Sequence, residues 1–471
     1  MADAASEATR GSAIKLGAES LGRVAALATS LLIARGLGPE EFGVFAFLSG
    51  VAVLLAEFGD LGLQGLASRA LVAETVSLGA ILRAKLWLTG FVLAASMAAL
   101  GVLAQGESPG RGLLLVPLVL YYSFSGWSEL LGVALRAAGL RGREALTILC
   151  FRLTTLALVS ATLFLAARGL RSLAWALAIS PAPAILIGAG FLRAARFGAA
   201  PAARPLAVLR EALPLAINGG LSLLGLRVEV LALTFFAGER ATGLFAAALK
   251  VVDSLILVPA AITAGAMPAL TREALKGEGP VRQRTAQTLA LLGVPAALGL
   301  LLLAPEIVGL LYGHAYAASA EPLRLLAPSL VAIFLNNVLL NALLALGRAP
   351  LLPRLTALHV ALAIGFALTF IPRFGIAGAA CGFTLSEILL TPVAALACAR
   401  QDFAVPVGRA LGLAFAVSLP MGVALLVGRF GALTSIALGA GVYAATLFGV
   451  WRLAPRALFA DAVALPEQGR A

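Results

Sequence analysis

The stretch LSLLGLRVEVLALTFFAGERATGLFAAALKVVDSLILVPAAITAGAMPALTR, residues 221–272, decides the fold. It reads as two apolar spans joined by a short turn at residues 238–240, and each span is long enough to cross a membrane. Four ionisable residues interrupt these spans: Arg227, Glu229, Lys250 and Asp253. Charge at membrane depth is costly and usually faces a bundle interior or a wet cavity. Arg227 and Lys250 both lie about ten helical residues from the turn, at one depth. We therefore predict that they line a polar cavity in a transporter.

The composition of the whole chain agrees with a membrane protein. Of its 471 residues, 61% are hydrophobic and only 12% are charged, whereas a soluble domain carries roughly 25% charged residues. The net charge of +12 does not indicate nucleic-acid binding, because the basic residues are spread over short loops between apolar spans. The three cysteines show no pairing or metal-ligand spacing, so neither a disulfide framework nor a metal site is predicted.

Apolar runs of about 20 residues predict an all-α polytopic membrane protein with about fourteen transmembrane helices. The expected divisions are a cytoplasmic tail (1–12), an N-lobe with helices 1–6 (13–196), a cytoplasmic linker (197–207), a C-lobe with helices 7–12 (208–400), helices 13 and 14 (401–453), and a second cytoplasmic tail (454–471). Alternate loops carry most of the basic residues, among them Lys85, Arg136 and Arg282. The positive-inside rule then places both termini in the cytoplasm.

An internal repeat is visible in the sequence. GPEEFGVFAF at 38–47 resembles GERATGLFAA at 238–247, and GLQGLASR at 62–69 resembles GAMPALTR at 265–272. The offset of about 200 residues covers six predicted spans, so the two copies would have the same orientation in the membrane. This pattern is typical of parallel repeats with a site between two halves. Chance similarity in Gly/Ala-rich sequence is the alternative.

Four segments carry a family resemblance: ARGLGPEEFGVFAF (34–47) with FGDLGLQGLASR (58–69), residues 243–272, LYGHAYAASAEPLRLLAPSL (311–330), and residues 345–387. In this order they resemble the polysaccharide-export branch of the multidrug/oligosaccharidyl-lipid/polysaccharide (MOP) flippase superfamily. The resemblance implies two six-helix lobes around a central cavity, plus two C-terminal helices. It also implies that a polyprenyl-diphosphate-linked oligosaccharide moves from the cytoplasmic to the periplasmic leaflet of a bacterial inner membrane. The polymerase and glycosyltransferases of the pathway would be partners.

The basic residues at membrane depth are the candidates for substrate binding. The resemblance implies that helices 1, 2, 7 and 8 line the cavity, which selects Arg23, Arg227 and Lys250, with Lys15 at the cytoplasmic lip. Arg suits bidentate phosphate contact, and Lys supplies a compact charge. The alternative is that these residues form structural ion pairs, Lys250 with Asp253 and Arg23 with Glu19.

Carboxylates in the spans are candidates for coupling transport to an H⁺ or Na⁺ gradient: Asp253, Glu229, Glu57 and Asp60. No other cofactor is predicted. Glu129 and Arg152 lie on consecutive helices in the same third of the membrane and are expected to form a structural ion pair. His359 is isolated in an apolar helix and is interpreted as a core residue.

Two other functional classes are alternatives to a flippase. A multidrug antiporter of the same superfamily is the nearest alternative, although Arg23, Arg227 and Lys250 favour an anionic ligand. A membrane polysaccharide polymerase or ligase is less favoured, because such enzymes use a sizeable periplasmic loop and none is predicted here. The sequence also lacks a G-x-x-x-x-G-K phosphate-binding loop, so ATP-driven transport by this chain alone is disfavoured. The prediction is a transporter rather than an enzyme.

Overall fold

The computed structural model describes residues 2–103, 112–165, 169–193, 195, 197, 205–277, 279–428 and 431–453, and these residues form helices and turns, with no strand among them. The helices are α1 (Ala2–Phe58), α2 (Leu63–Ala70), α3 (Leu78–Leu103), α4 (Leu115–Ala137), α5 (Arg141–Leu165), α6 (Leu170–Ile179), α7 (Ala182–Arg193), α8 (Pro205–Gly225), α9 (Val228–Ala237), α10 (Glu239–Leu255), α11 (Leu257–Lys276), α12 (Val281–Leu302), α13 (Ala304–Tyr312), α14 (Ala320–Ala345), α15 (Leu352–Ala399), α16 (Val407–Val427) and α17 (Ala432–Leu453). Short 3₁₀ turns lie at His314–Ser319 and Ala349–Leu351.

Eleven helical stretches of the described chain are long and apolar enough to cross a membrane, or twelve if the bent pair α8–α9 is one span. The two longest, Gly17–Phe58 and Ala349–Ala399, have 42 and 51 residues, about twice the length that one crossing needs. Each contains one glycine with non-helical backbone angles, Gly38 in α1 and Gly375 in α15. The all-helical membrane fold is confirmed, and the number fourteen stays a prediction.

Helix α15 folds back on itself at Gly375. A side-chain Cβ added to Gly378 would lie 2.3 Å from the carbonyl oxygen of Phe370, although eight residues of straight helix would separate them by about 12 Å. A Cβ at Gly382 would likewise lie 3.1 Å from the Cβ of Phe366. The two halves of α15 are therefore antiparallel, and glycines allow their backbones to approach.

The repeat has a structural counterpart at its first glycine. Gly38 has φ 77° and ψ 172°, and Gly238 has φ 87° and ψ 178°; a positive φ of this kind strongly favours glycine. At Gly238 the chain reverses, and the hydroxyls of Thr234 and Thr242 lie 2.9 Å apart across the turn. The second motif is less alike, because Gly62 is a left-handed residue before α2, whereas the matching position 265 lies inside α11.

The chain divides into two compact units, Met1–Leu231 and Ala232–Ala471. Helix α8 packs into the first unit, and the expected boundaries of the lobes and of the linker at 197–207 stay a prediction. Its residues Val208 and Ala212 belong to a core cluster with Leu63 of α2, Ile81 of α3 and Leu130 of α4. Most of that linker and the tail at 454–471 lie outside the described residues, and α1 already begins at Ala2, within the expected N-terminal tail.

A proline determines how α17 is tethered in the second unit. Pro295 inside α12 has no N–H, which leaves the carbonyl of Leu291, four residues earlier, without its helical donor. The hydroxyl of Tyr443 on α17 donates a hydrogen bond to this carbonyl. In a membrane such a freed carbonyl needs a protein partner, so the bond joins α12 and α17 at that level.

Candidate substrate-binding and coupling residues

Arg227 lies at a break in a membrane helix. The first half, α8, ends at Gly225, the second half, α9, begins at Val228, and the two are bent by 41°. The Arg227 side chain passes Gly50 of α1, where an added Cβ would lie 3.9 Å from its Cδ. Its Nε is buried and has no hydrogen-bond partner among the residues that the structure describes. A cation with spare hydrogen-bonding capacity therefore lies at a discontinuous helix, where transporters commonly bind ligands.

Arg23 is held only loosely. Its Nη2 lies 4.0 Å from Glu19 Oε2, one helical turn away, and the two side chains are 50% and 31% exposed. Exposed ion pairs of this kind contribute little to the stability of the folded state. Arg23 therefore stays available to a ligand. The side chain of Lys15 lies outside the described part of the structure.

Lys250 and Asp253 lie on α10 in the second unit, and both are half-buried. The ion pairs found among the described residues do not include Lys250. The alternative in which Asp253 neutralises Lys250 stays a prediction. Glu229, the other carboxylate of the hairpin at residues 221–272 (hereafter the opening hairpin), is 1% exposed.

Asp60 forms an ion pair with Lys85, a residue that was predicted to lie in a loop. Lys85 Nζ donates a 2.7 Å hydrogen bond to Asp60 Oδ1, and Lys85 is only 2% exposed. Lys85 was expected in a cytoplasmic loop, and that expectation is wrong. It lies two turns inside α3 and points at Gly126, where an added Cβ would be 3.2 Å from Nζ. Glu57, one turn before Asp60, faces α8, because a Cβ at Gly219 would lie 3.1 Å from its Oε1.

Glu129 and Arg152 make contacts other than the expected ion pair with each other. Glu129 Oε2 accepts a 3.2 Å hydrogen bond from Gln64 Nε2. The Arg152 stem packs over Gly22 of α1, and its guanidinium lies 5.0 Å from the ring centre of Phe151. Arg152 therefore faces α1, and Glu129 extends the polar cluster around Asp60.

A second polar cluster, in the second unit, was missed by the sequence reading. His359 Nε2 lies 3.4 Å from Glu387 Oε1 and 3.3 Å from the hydroxyl of Ser386. Asn336 Nδ2 on α14 donates to Glu387 Oε2 at 2.9 Å and to the Glu387 carbonyl at 3.0 Å. A signal was present: His359 lies 16 residues before Gly375 and Glu387 lies 12 residues after it, so a hairpin brings the two to a similar depth.

Eleven or twelve candidate spans among the described residues make this architecture that of a multi-pass membrane protein. The sequence matches the family model described as polysaccharide biosynthesis protein over residues 8–273, which is more than half of the chain. The chain therefore belongs to that family.

Several solved structures share the fold of this chain. The lipid II flippase MurJ in an inward closed conformation aligns with a TM-score of 0.73 and 14% identity, covering 93% of this chain and 98% of MurJ. A multidrug resistance MATE family transporter of the MOP superfamily, inward-facing, aligns with a TM-score of 0.65 and 15% identity, covering 83% and 97%. A MOP superfamily transporter from Pyrococcus furiosus aligns with a TM-score of 0.58 and 16% identity, covering 84% of this chain and 95% of that transporter. The chain thus has the MOP superfamily fold. A search of curated proteins finds no match.

Proposed function

We propose that this protein is an alternating-access flippase that moves a polyprenyl-diphosphate-linked oligosaccharide from the cytoplasmic to the periplasmic leaflet of a bacterial inner membrane. Its membership in the polysaccharide biosynthesis family is the observation that carries the proposal. The fold, which is also that of a lipid II flippase, supports the same reading. The oligosaccharide would be an O-antigen, exopolysaccharide or related cell-surface unit. Glycosyltransferases would supply it, and a polymerase would consume it.

The charge of the diphosphate indicates which residues would bind it. A diphosphate carries about two negative charges, and charge-assisted hydrogen bonds to arginine and lysine are the strong way to hold it. Arg227 keeps an unpartnered Nε, and Lys250 forms no ion pair among the described residues. These two residues are the proposed diphosphate ligands, with Arg23 and Lys15 nearer the cytoplasmic entrance.

Uptake of H⁺ or Na⁺ by a membrane carboxylate is the proposed energy source. Asp60 already accepts a hydrogen bond from Lys85, so Glu57 is the better candidate of the two in the first unit. Asp253 and Glu229 are the candidates on the hairpin that carries Arg227 and Lys250. Transport into liposomes should respond when one gradient, and not the other, is collapsed.

The decisive experiment measures movement of a labelled lipid-linked oligosaccharide in proteoliposomes with a membrane-impermeant reagent. We expect Lys250→Ala and Arg227→Gln each to lower the flipping rate at least tenfold, because each removes a diphosphate ligand. Arg240→Ala, an exposed cation at the turn between α9 and α10, is the matched control and should retain the rate. Wild-type rates in both Lys250→Ala and Arg227→Gln would overturn the assignment.

A multidrug antiporter is the second candidate, favoured by the shared fold with MATE transporters. The same proteoliposomes separate the two. Accumulation of a cationic drug that depends on Asp253 or Glu229, together with no movement of the lipid-linked sugar, would select the antiporter.

A further inference from the structure

A groove between α12 and α17 in the second unit lies outside the residues assigned to transport. It has a volume of about 440 Å³ and is lined along one side by Arg284, Gln287 and Leu291, and along the other by Tyr443, Leu447 and Trp451. The Tyr443 hydroxyl bridges to the Leu291 carbonyl at one level of the groove. Trp451, near the opposite end of the lining segment of α17, is 52% exposed.

The polar lining of the groove has unused hydrogen-bonding groups. Arg284 forms no ion pair among the described residues, and its buried Nε has no hydrogen-bond partner. Gln287, one helical turn further along α12, is 7% exposed, and its Oε1 is also buried without a partner. Buried polar atoms of this kind cost free energy unless a ligand or water satisfies them. Arg284 lacks an acceptor, and Gln287 lacks a donor.

The rest of the groove is apolar. Leu291 and Leu292 of α12 and Ala444 and Leu447 of α17 line it. Trp451 and Phe448 line it at the Arg284 end, and aromatic residues of this kind favour the level of lipid headgroups. Arg452, whose guanidinium lies 4.8 Å from the ring centre of Phe448, adds a second cation at this end.

From this arrangement we infer that the α12–α17 groove is a binding site for an anionic phospholipid such as phosphatidylglycerol. Arg284 contacts the phosphodiester, and an acyl chain lies against Leu291 and Leu447. A zwitterionic ethanolamine headgroup fits less well, because its ammonium would approach Arg284. Basic pockets between membrane helices are known to select anionic headgroups. The inference does not rest on the proposed transport function.

The test is native mass spectrometry of the full-length protein in detergent, titrated with phosphatidylglycerol and with phosphatidylethanolamine of identical acyl chains. We expect the first phosphatidylglycerol to bind about tenfold more tightly than phosphatidylethanolamine. Arg284→Gln should remove that preference, because it deletes one charge-assisted contact worth about a factor of ten. Arg348→Gln, which removes an exposed cation elsewhere in the same unit, is the matched control and should keep the preference.

Two further arms identify the occupant. Leu447→Trp fills the apolar part of the groove and should weaken both lipids, with thermal unfolding measured to show that the variant is folded. Glycerol phosphate, the soluble headgroup, should fail to displace phosphatidylglycerol at equal concentration. Displacement would overturn the lipid assignment in favour of a free-anion site. Equal phosphatidylglycerol binding by the wild type and Arg284→Gln would overturn the site itself.

Discussion

The polar clusters of the two units form an instructive comparison, because the repeat aligns their positions. In the alignment of residues 62–69 with residues 265–272, Asp60 of the first unit corresponds to Thr263 of the second. Asp60 forms a buried ion pair with Lys85, and nearby Gln64 bonds Glu129 on α4. Thr263 instead donates a 2.6 Å hydrogen bond to the amide oxygen of Asn337 on α14. Related frameworks thus hold permanent charge in one unit and a neutral pair in the other.

The second unit places its ionisable group on a different helix. Glu387 on α15 is held by Asn336 and lies beside His359, which is charged only when protonated. A buried lysine–aspartate pair stabilises only while both partners remain. The first cluster is therefore suited to holding helices in register.

The largest expected effect tests the permanent pair. Lys85→Ala should destabilise the protein by about 3–5 kcal/mol, because it leaves the Asp60 carboxylate buried without its cation. Denaturant titration in mixed micelles measures the free energy of unfolding. The double variant Asp60→Asn with Lys85→Met removes both charges and should recover most of the loss. No difference between Lys85→Ala and the double variant would mean that the pair is not buried as described.

A smaller effect is expected at the α15 hairpin that brings His359 to Glu387. Gly378→Ala places a Cβ against the backbone oxygen of Phe370, and overpacking of this kind costs about 1–3 kcal/mol. Gly90→Ala in α3 of the first unit is the matched control, since an added Cβ there meets no atom within 4 Å. A loss of stability in Gly90→Ala equal to that in Gly378→Ala would argue against the close approach.

The histidine–glutamate pair is tested by a double-mutant cycle. His359→Gln, Glu387→Gln and the combined variant should show a coupling free energy of about 1 kcal/mol, as for contacting residues. Additive effects would show that the pair contributes nothing to stability.

The smallest effect concerns the neutral partner of the comparison. Thr263→Val keeps the shape of the side chain and removes its hydrogen bond to Asn337, which should cost about 1 kcal/mol. Unfolding temperature in detergent is a sufficient measurement. A loss of stability as large as that of Lys85→Ala would contradict the comparison, because it would mean that Thr263 stabilises the protein as much as the charged pair does.

Much of the fold followed from local sequence. Apolar runs set the helices, and Gly238 set the turn of the opening hairpin, where the backbone conformation matches that of Gly38. Arg227 and Lys250 were noticed because charge stands out in an apolar span. Lys85 was misplaced because it lies near a helix end, where sequence alone cannot separate a loop residue from a buried one.

The sequence by itself determined that the chain is an all-helical membrane protein with a repeat and a few charges within its spans, since hydrophobicity and glycine conformation act over short stretches. Only the tertiary structure decided which charges meet: Lys85 with Asp60, and His359 with Glu387 across the α15 hairpin. Such pairing depends on the rotation and depth of helices that are distant in sequence. The tertiary structure also forms the groove at Arg284, because its lining comes from two helices about 160 residues apart in the sequence.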